Sequence, residues 1–355
     1  FLSPARPEIY LEKVYGRDWK IPKFRAEINK KNFFIYKNKS LKMYNITKTV
    51  SFINKQFSDI KNFGVSEFFK KIYLFIKILV NFSLNIIAII PCLFIRLISP
   101  WFLIRIERVR AGNFGDFSWM TSMYFCKKKL NIDQPKKKYI DLFFIHYNDK
   151  VYNKQLEKMW KRRLLFVSGY LLNPIYQVNR LIPGWEKYVI KNLSTQERDI
   201  NNLFEKYNAL ELTKDEQKQG EETLKKFGLN ENDKFVCLAV RDGAYQKKKI
   251  SNKYRDWGYH DYRHTDIDKF ILASEELTKK GFFVFRMGVV VEKKLNSDNP
   301  KIIDYANSKL RSDFMDVYLA ANCSFCISTG YGFEDLPCVF RKPLVQLILP
   351  LGDAY

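Results

Sequence analysis

Two arginines and one small-residue turn are the groups in this chain best placed by type and spacing to do chemistry. Arg241, Arg286 and the triplet Ser328-Thr329-Gly330 each follow a short apolar run of strand type, at 233–240, 282–285 and 323–328. In an open parallel α/β sheet, residues just past the carboxyl ends of the strands converge on one crevice. A guanidinium offers paired, planar donors to phosphate oxygens, and backbone amides at a turn or helix start add partial positive charge. Together they fit a diphosphate. Each arginine also has a plainer reading, an ion pair with a local acid such as Asp242. A long aromatic loop at 254–266 lies between the first strand and helix of this lobe and carries two of the chain's three histidines, His260 and His264. Structureless loops of that length are functional or disordered, and the aromatic density argues against disorder. Thr265 or Asp266 can cap the helix that follows.

Such groups need a scaffold, and the pattern supplies one. After residue 230, apolar runs at 233–240, 282–285, 302–305, 323–328 and 343–345 alternate with helical stretches at 266–280, closed by Gly281, and 313–321. That alternation implies a parallel sheet with its ligands at the carboxyl edge. A similar start lies upstream. The period-two run 103–110 leads into Ala111-Gly112-Asn113-Phe114-Gly115-Asp116 and an apolar helix at 117–125, with further strands expected at 139–145 and 164–168. A strand entering a glycine-bearing turn and then a helix opens a doubly wound unit. Residues 190–230, polar and helical in spacing, form the crossing between lobes.

Composition narrows the class. The 355 residues allow two domains with proper cores, and 46% hydrophobic with 28% charged residues is a globular balance. The net charge of +23 is uneven: residues 1–110 hold 21 Lys and Arg against seven Asp and Glu. Such an excess calls for an anionic neighbour, nucleic acid or an acidic membrane. The basic residues gather about an apolar segment and no reader motif appears, which argues against nucleic acid. That segment, 78–95, is 18 residues without charge between Lys77 and Arg96. It is just long enough to span a bilayer core. Asn81, Asn85 and Pro91 inside it, and cations on both flanks, favour a membrane-associated helix pair at 72–104, broken near Pro91. A buried core helix is the alternative. The six cysteines sit mostly in apolar runs, as buried thiols of a reducing compartment do; Cys323-x-x-Cys326 has metal or redox spacing but no second pair.

Residues 7–19, with Tyr15-Gly16-Arg17-Asp18-Trp19, resemble the closing stretch of LicD-type phosphocholine-transferase domains. The rest carries a second resemblance: Val240-Arg241-Asp242-Gly243-Ala244-Tyr245, Tyr262-Arg263-His264-Thr265-Asp266-Ile267, Arg286-Met287-Gly288, Ile303-Asp304-Tyr305-Ala306, Ser312-Asp313-Phe314-Met315-Asp316 and Ser328-Thr329-Gly330. In that order and spacing they resemble a family of bacterial surface-polysaccharide glycosyltransferases of GT-B architecture, over roughly residues 100–350. The resemblance implies two Rossmann-like lobes, an acceptor lobe at 105–230 and a donor lobe at 231–355 that stops short of a closing helix. These would follow a LicD-like tail at 1–24, a basic linker at 25–70 and the membrane-associated helices at 71–104. It implies a nucleotide-sugar donor bound by Arg241, Asp242, Arg263, Arg286, Gly288, Ser328, Thr329, Gly330 and Glu334, the last on a ribose hydroxyl. The acceptor-side turn is Gly112, Asn113 and Gly115. Where the family's turn reads Arg-x-Gly-His, here Asp116 follows Gly115 and becomes the candidate base, its plainer role being a helix N-cap. The expected chemistry uses no cofactor or metal, with arginines and amides stabilising the leaving diphosphate. The acceptor would be a glycan or lipid-linked glycan at the cytoplasmic face of the inner membrane. A sugar-binding scaffold without activity and a nucleotide-sugar epimerase are the rival readings.

Overall fold

In the computed structural model, which describes residues 65–190, 199, 202–245 and 264–347, the apolar segment is a helical rod interrupted at Ala88. Helix α1 (Val65–Ile87) ends there and α2 (Ile89–Ile98) begins. Pro91 has no N–H to give the Ile87 carbonyl and its ring crowds that oxygen, so the helix is interrupted beside the missing bond. The LicD-like phrase, the linker up to residue 64, and 246–263 with Arg263 lie outside the described residues. The chain divides into two compact units, Phe1–Val80 and Asn81–Tyr355. Of the first, only the start of α1 is described.

Within the second unit, α2 lays one edge on α5 (Gly169–Leu181): Ala88 and Cys92 pack against Val178 and Ile175. Arg96 locks the pair, its Nε on Asn179 Oδ1 at 3.0 Å and its Nη1 and Nη2 on the Pro183 and Ile182 carbonyls. The other faces are bare, with Ile90 76% and Leu97 69% exposed. Leu79–Ile98 is long and apolar enough to cross a membrane by length and composition, and 11% of it is buried. It is no core helix of this unit.

Strands β1 (Leu103–Arg108) and β2 (Tyr139–Phe144) form a parallel pair in register from Leu103↔Tyr139 to Arg108↔Phe144. The register sets Arg105 opposite Asp141, and the two meet in a buried ion pair at 2.6 Å. The strand expected at 164–168 reduces to one bridge, Phe143↔Phe166. Ser168 caps α5 by accepting from the Tyr170 amide, so the chain turns helical before a ladder can grow. Between β1 and β2 lie a five-residue π-helix (Asp116–Met120) and α3 (Thr121–Lys129). Helices α4 (Lys154–Lys161), α6 (Leu203–Lys206) and α7 (Lys214–Lys226), with a 3-10 turn at Trp185–Tyr188, also belong to this half.

The second half is the expected alternation: β3 (Lys234–Ala239), α8 (Ile271–Lys279), β4 (Phe282–Arg286), β5 (Ile302–Ile303), α9 (Asp313–Asn322), β6 (Phe325–Ser328), α10 (Asp335–Val339) and β7 (Leu344–Gln346). The sheet order is β5-β4-β3-β6-β7, all parallel. Successive side chains of a strand alternate between sheet faces. Phe235, Cys237, Ala239, Phe283 and Phe285 accordingly join the large core with α9, while Leu238, Val240 and Val284 join Ile267 and Phe270 on the other side. That large core also takes in Phe117, Phe143, Leu156 and Trp160 from the first half. The protein is a mixed α/β fold with two parallel sheets over a shared core.

Candidate active-site cleft

Sheet order decides where the site lies. Counted outward from β3, the strands run in opposite directions along the sheet through β4 and through β6, so the topological switch falls between β3 and β6. Ligands of open α/β sheets bind outside the carboxyl ends at that point. Val240 and Arg241 leave β3 there, and Thr329 and Gly330 leave β6. The Arg241 amide donates to Thr329 Oγ1 at 2.8 Å, and its Nη1 lies 3.4 Å from the Gly330 carbonyl. Arg241 thus lines a cleft of about 390 Å³.

The triplet itself is used differently from the expectation. Ser328 and Thr329 are buried. The Thr329 amide donates to the Ala239 carbonyl and the Gly330 amide to Ser328 Oγ, so two donors expected for phosphate serve the turn instead. Gly330 holds a φ of +89°, which an L side chain disfavours, and this lets the chain fold back over Arg241. Glu334 accepts from Ser328 Oγ and, at 3.4 Å, from Gln346 Nε2, so its carboxylate ties β6 to β7 rather than facing the cleft.

Arg286 does not reach the cleft surface either. Its side chain is 1% exposed, held by Asp304 at 3.1 Å and Asp242 at 3.6 Å. A cation at the end of a central strand lies deep in the fold, and burial without counter-charge would be far too costly. Its plainer reading, the local ion pair, is the one the structure has. Asp242 lines the cleft but is occupied, accepting from the Ala244 amide at 3.1 Å and the Glu292 amide at 2.9 Å. Gly288 also lines the cleft, and with it come three valines, Val289, Val290 and Val291, that sequence reasoning missed. They follow β4 on the carboxyl edge, and that position was the available signal.

Across the cleft stands the turn after β1. Gly112, Asn113, Gly115 and Asp116 all line it. The turn is pinned by the Tyr152 amide on the Ala111 carbonyl (2.8 Å) and by Trp160 Nε1 on the Phe117 carbonyl (3.0 Å). Asp116 is the first residue of the π-helix, a rare form enriched at functional sites, with Gly115 in the cap position. Its Oδ2 accepts from Asn113 Nδ2 at 3.2 Å.

The halves touch where Phe114 stacks on Phe333, centroids 5.8 Å apart, and where Gly115 meets Gly332. A Cβ on Gly115 would sit 2.2 Å from Asp335 Oδ2 and 3.2 Å from the Gly332 Cα. Gly115→Ala is therefore expected to lower stability by about 1–3 kcal/mol, the range for overpacking. Adding Asp335→Ala should restore part of that loss in a thermal-unfolding double-mutant cycle, because one of the two collisions is then removed. Strict additivity would exclude the contact.

The floor is aromatic and aliphatic: Tyr152 and Tyr245 meet edge to face at 5.6 Å, beside Met287 and the valines. Asp316, buried among Arg311 and Tyr305, also borders it, and burial pushes its carboxyl up to about 6 against the opposing pull of Arg311 at 2.6 Å. The chain holds one Asp-x-Asp, Asp266-Ile267-Asp268, of the type by which metal-dependent transferases hold a cation. Both carboxylates are engaged by Lys293, which keeps Asp266 below the usual carboxylate range. Neither aspartate lines the cleft. Cys323 and Cys326 are buried thiols, and burial pushes the Cys326 thiol well up.

No family model and no curated protein matches this chain. Among solved structures it is similar to a glycosyl transferase family 9 protein from Veillonella parvula DSM 2008, with a TM-score of 0.39 and 10% identity over 69% of this chain and 80% of that one. It is also similar to E. coli ADP-heptose lps heptosyltransferase II, with a TM-score of 0.33 and 12% identity over 69% and 85%. Fold and site define the class directly: an α/β protein with two parallel sheets and a cleft at a topological switch point.

Proposed function

We propose that the chain is a GT-B-type glycosyltransferase. In this reading 105–230 and 231–355 are its two Rossmann-like lobes, and it passes sugar from a nucleotide-sugar donor to a glycan or lipid-linked acceptor. One observation carries the reading: at the switch point Arg241 enters the same cleft that Asp116 lines from the other half. A scaffold has no need of that juxtaposition. The valines with Tyr152 and Tyr245 suit a nucleobase, being apolar and flat-sided. Arg241 suits the diphosphate. The acceptor hydroxyl would give its proton to the Asp116 carboxylate as its oxygen bonds the anomeric carbon. The bond from that carbon to the diphosphate oxygen breaks, and the electron pair leaves with the diphosphate beside the Arg241 guanidinium. We assign no cofactor and no metal to this step, since the Asp-x-Asp pair is spent on Lys293. The test is thermal-shift screening against nucleotides and nucleotide sugars, then transfer assays with and without EDTA. Stabilisation by nucleotide sugars, with transfer that survives EDTA, is expected; a chain that no nucleotide stabilises is not this enzyme.

We place it on the cytoplasmic leaflet, with the exposed face of α2 in the acyl region and the surrounding cations on anionic headgroups. The 355-residue chain should float with phosphatidylglycerol vesicles, and its Ile90→Asp/Leu97→Asp variant should stay in the soluble fraction with its fold intact. Equal flotation of the two would end the membrane reading.

A further inference from the structure

The two asparagines inside the apolar rod have a structural counterpart. Asn81 and Asn85, one turn apart on α1, face Asn173 and Gln177, one turn apart on α5, across a groove of about 360 Å³ completed by Pro174 and Leu181. Every polar side chain in this lining is a neutral amide. Such a wall has no charge to offer phosphate or carboxylate, yet it carries both donors and acceptors, Gln177 Nε2 lying 3.5 Å from Asn173 Oδ1. Pro174 sits inside α5 and cannot donate to the Tyr170 carbonyl, which leaves that oxygen without its helical partner beside the same turn. The Asn85 side chain, on α1, has no hydrogen-bond partner among the described residues.

A stack of rings adjoins the amides. His146 lies on Tyr147 at 4.3 Å, and Tyr147 on Tyr170 at 4.8 Å with planes 12° apart. Tyr147 Oη donates to Asn81 Oδ1 at 2.7 Å, joining stack to groove, and Tyr170 ends the stack at 63% exposure. An open aromatic face beside amides is the chemistry that holds a pyranose, whose C–H face is apolar and whose rim is hydroxyls. Leu181, 84% exposed, closes the groove with an apolar side chain, and Phe82 and Ile86, next in the chain to the two asparagines, leave more exposed apolar surface that suits an alkyl chain. His146 and Tyr147 leave β2 at its carboxyl end, the edge from which β1 sends the Asp116 turn into the cleft.

We propose that this amide groove is a second binding site, taking an uncharged pyranose of a membrane-anchored glycan. As an acceptor subsite it rests on the transferase reading; as a sugar site it does not. Saturation-transfer NMR on the full chain in phosphatidylcholine–phosphatidylglycerol nanodiscs tests it. The probes are the methyl and octyl pyranosides of glucose, galactose, mannose and N-acetylglucosamine. Ring-proton saturation is expected for at least one sugar, falling threefold or more in Asn85→Leu and in Gln177→Leu, with the octyl form binding at least tenfold more tightly. No ring saturation from any probe, or saturation in both variants unchanged from wild type, overturns the site. Equal affinity of methyl and octyl forms overturns its membrane-anchored source. Nucleotide stabilisation measured on the same samples should be unchanged by either variant. A chain that binds sugar but no nucleotide keeps the groove and loses the transferase reading, and the reverse result loses only the groove.

Discussion

Arg241→Ala is expected to weaken nucleotide-diphosphate binding by about ten- to a hundredfold, or about 1.5–3 kcal/mol, the scale of a hydrogen bond to a charged group. The fold should survive. The link that positions this residue is its backbone amide on Thr329 Oγ1, which alanine keeps. What alanine removes is the guanidinium bordering the cleft. Arg241→Lys should fall between the two, since a lysine retains charge without the planar fork that grips two phosphate oxygens. Isothermal titration with whichever nucleotide stabilises the wild type measures both. An affinity unchanged in Arg241→Ala would remove the diphosphate site. Arg286→Ala makes the contrast: its partners are Asp304 and Asp242 inside the fold, so it should lower the unfolding midpoint.

The different fates of the two arginines show what was legible in the sequence. Both follow apolar runs, 235–240 and 282–285, and both runs are strands, because short consecutive apolar stretches of this kind fit a parallel strand covered on both faces. Alternation of strand and helix then implied one carboxyl edge for all of them. Whether a side chain at that edge turns outward or inward depends on what the neighbouring strand ends carry. Arg286 turns inward because β5 brings Asp304 beside it and the chain after β3 brings Asp242. That pairing is visible only once the strand order is known. The Ser328-Thr329-Gly330 turn was found for the right topological reason, but its own hydrogen bonds absorb the donors assigned to phosphate. In the first half, Asp116 was legible as the end of a strand-turn-helix phrase. The reduced strand at 164–168 was not, since Ser168 reads equally as a strand end or a helix cap. Asn81 and Asn85 stood out as polar residues in an apolar rod, while the amides that line the groove with them lie about ninety positions downstream on another helix.

The largest loss of stability should come from Asp141→Asn. Arg105 is 6% exposed and Asp141 2%, and they face each other in register across the two strands of the smaller sheet. The guanidinium grips the carboxylate twice, at 2.6 and 2.9 Å, with Tyr124 Oη and Lys128 Nζ on the same oxygen. Removing one partner of a buried ion pair leaves a charge without water or counter-charge, at a cost of about 3–5 kcal/mol. The pair Arg108–Asp149 is the control, as close at 2.7 Å but with the Arg108 side chain 41% exposed. Asp149→Asn should cost under about 1 kcal/mol, because water screens that pair. Urea unfolding of the full chain, followed by tryptophan fluorescence, ranks the two. The pH dependence has a definite sign. Although burial raises the Asp141 carboxyl, the hydrogen bonds from Arg105 and Tyr124 and the charges of Arg105 and Lys128 hold it below its ordinary value. A depressed carboxylate contributes stability that is complete above the unfolded-state pKa of about 4 and is lost as the pH falls through the folded-state value. Wild type should therefore lose its advantage over Asp141→Asn below about pH 4. An advantage that persists at acid pH would mean the charge of Asp141 is not what holds β1 to β2, and the cost would then lie in the geometry of its hydrogen bonds.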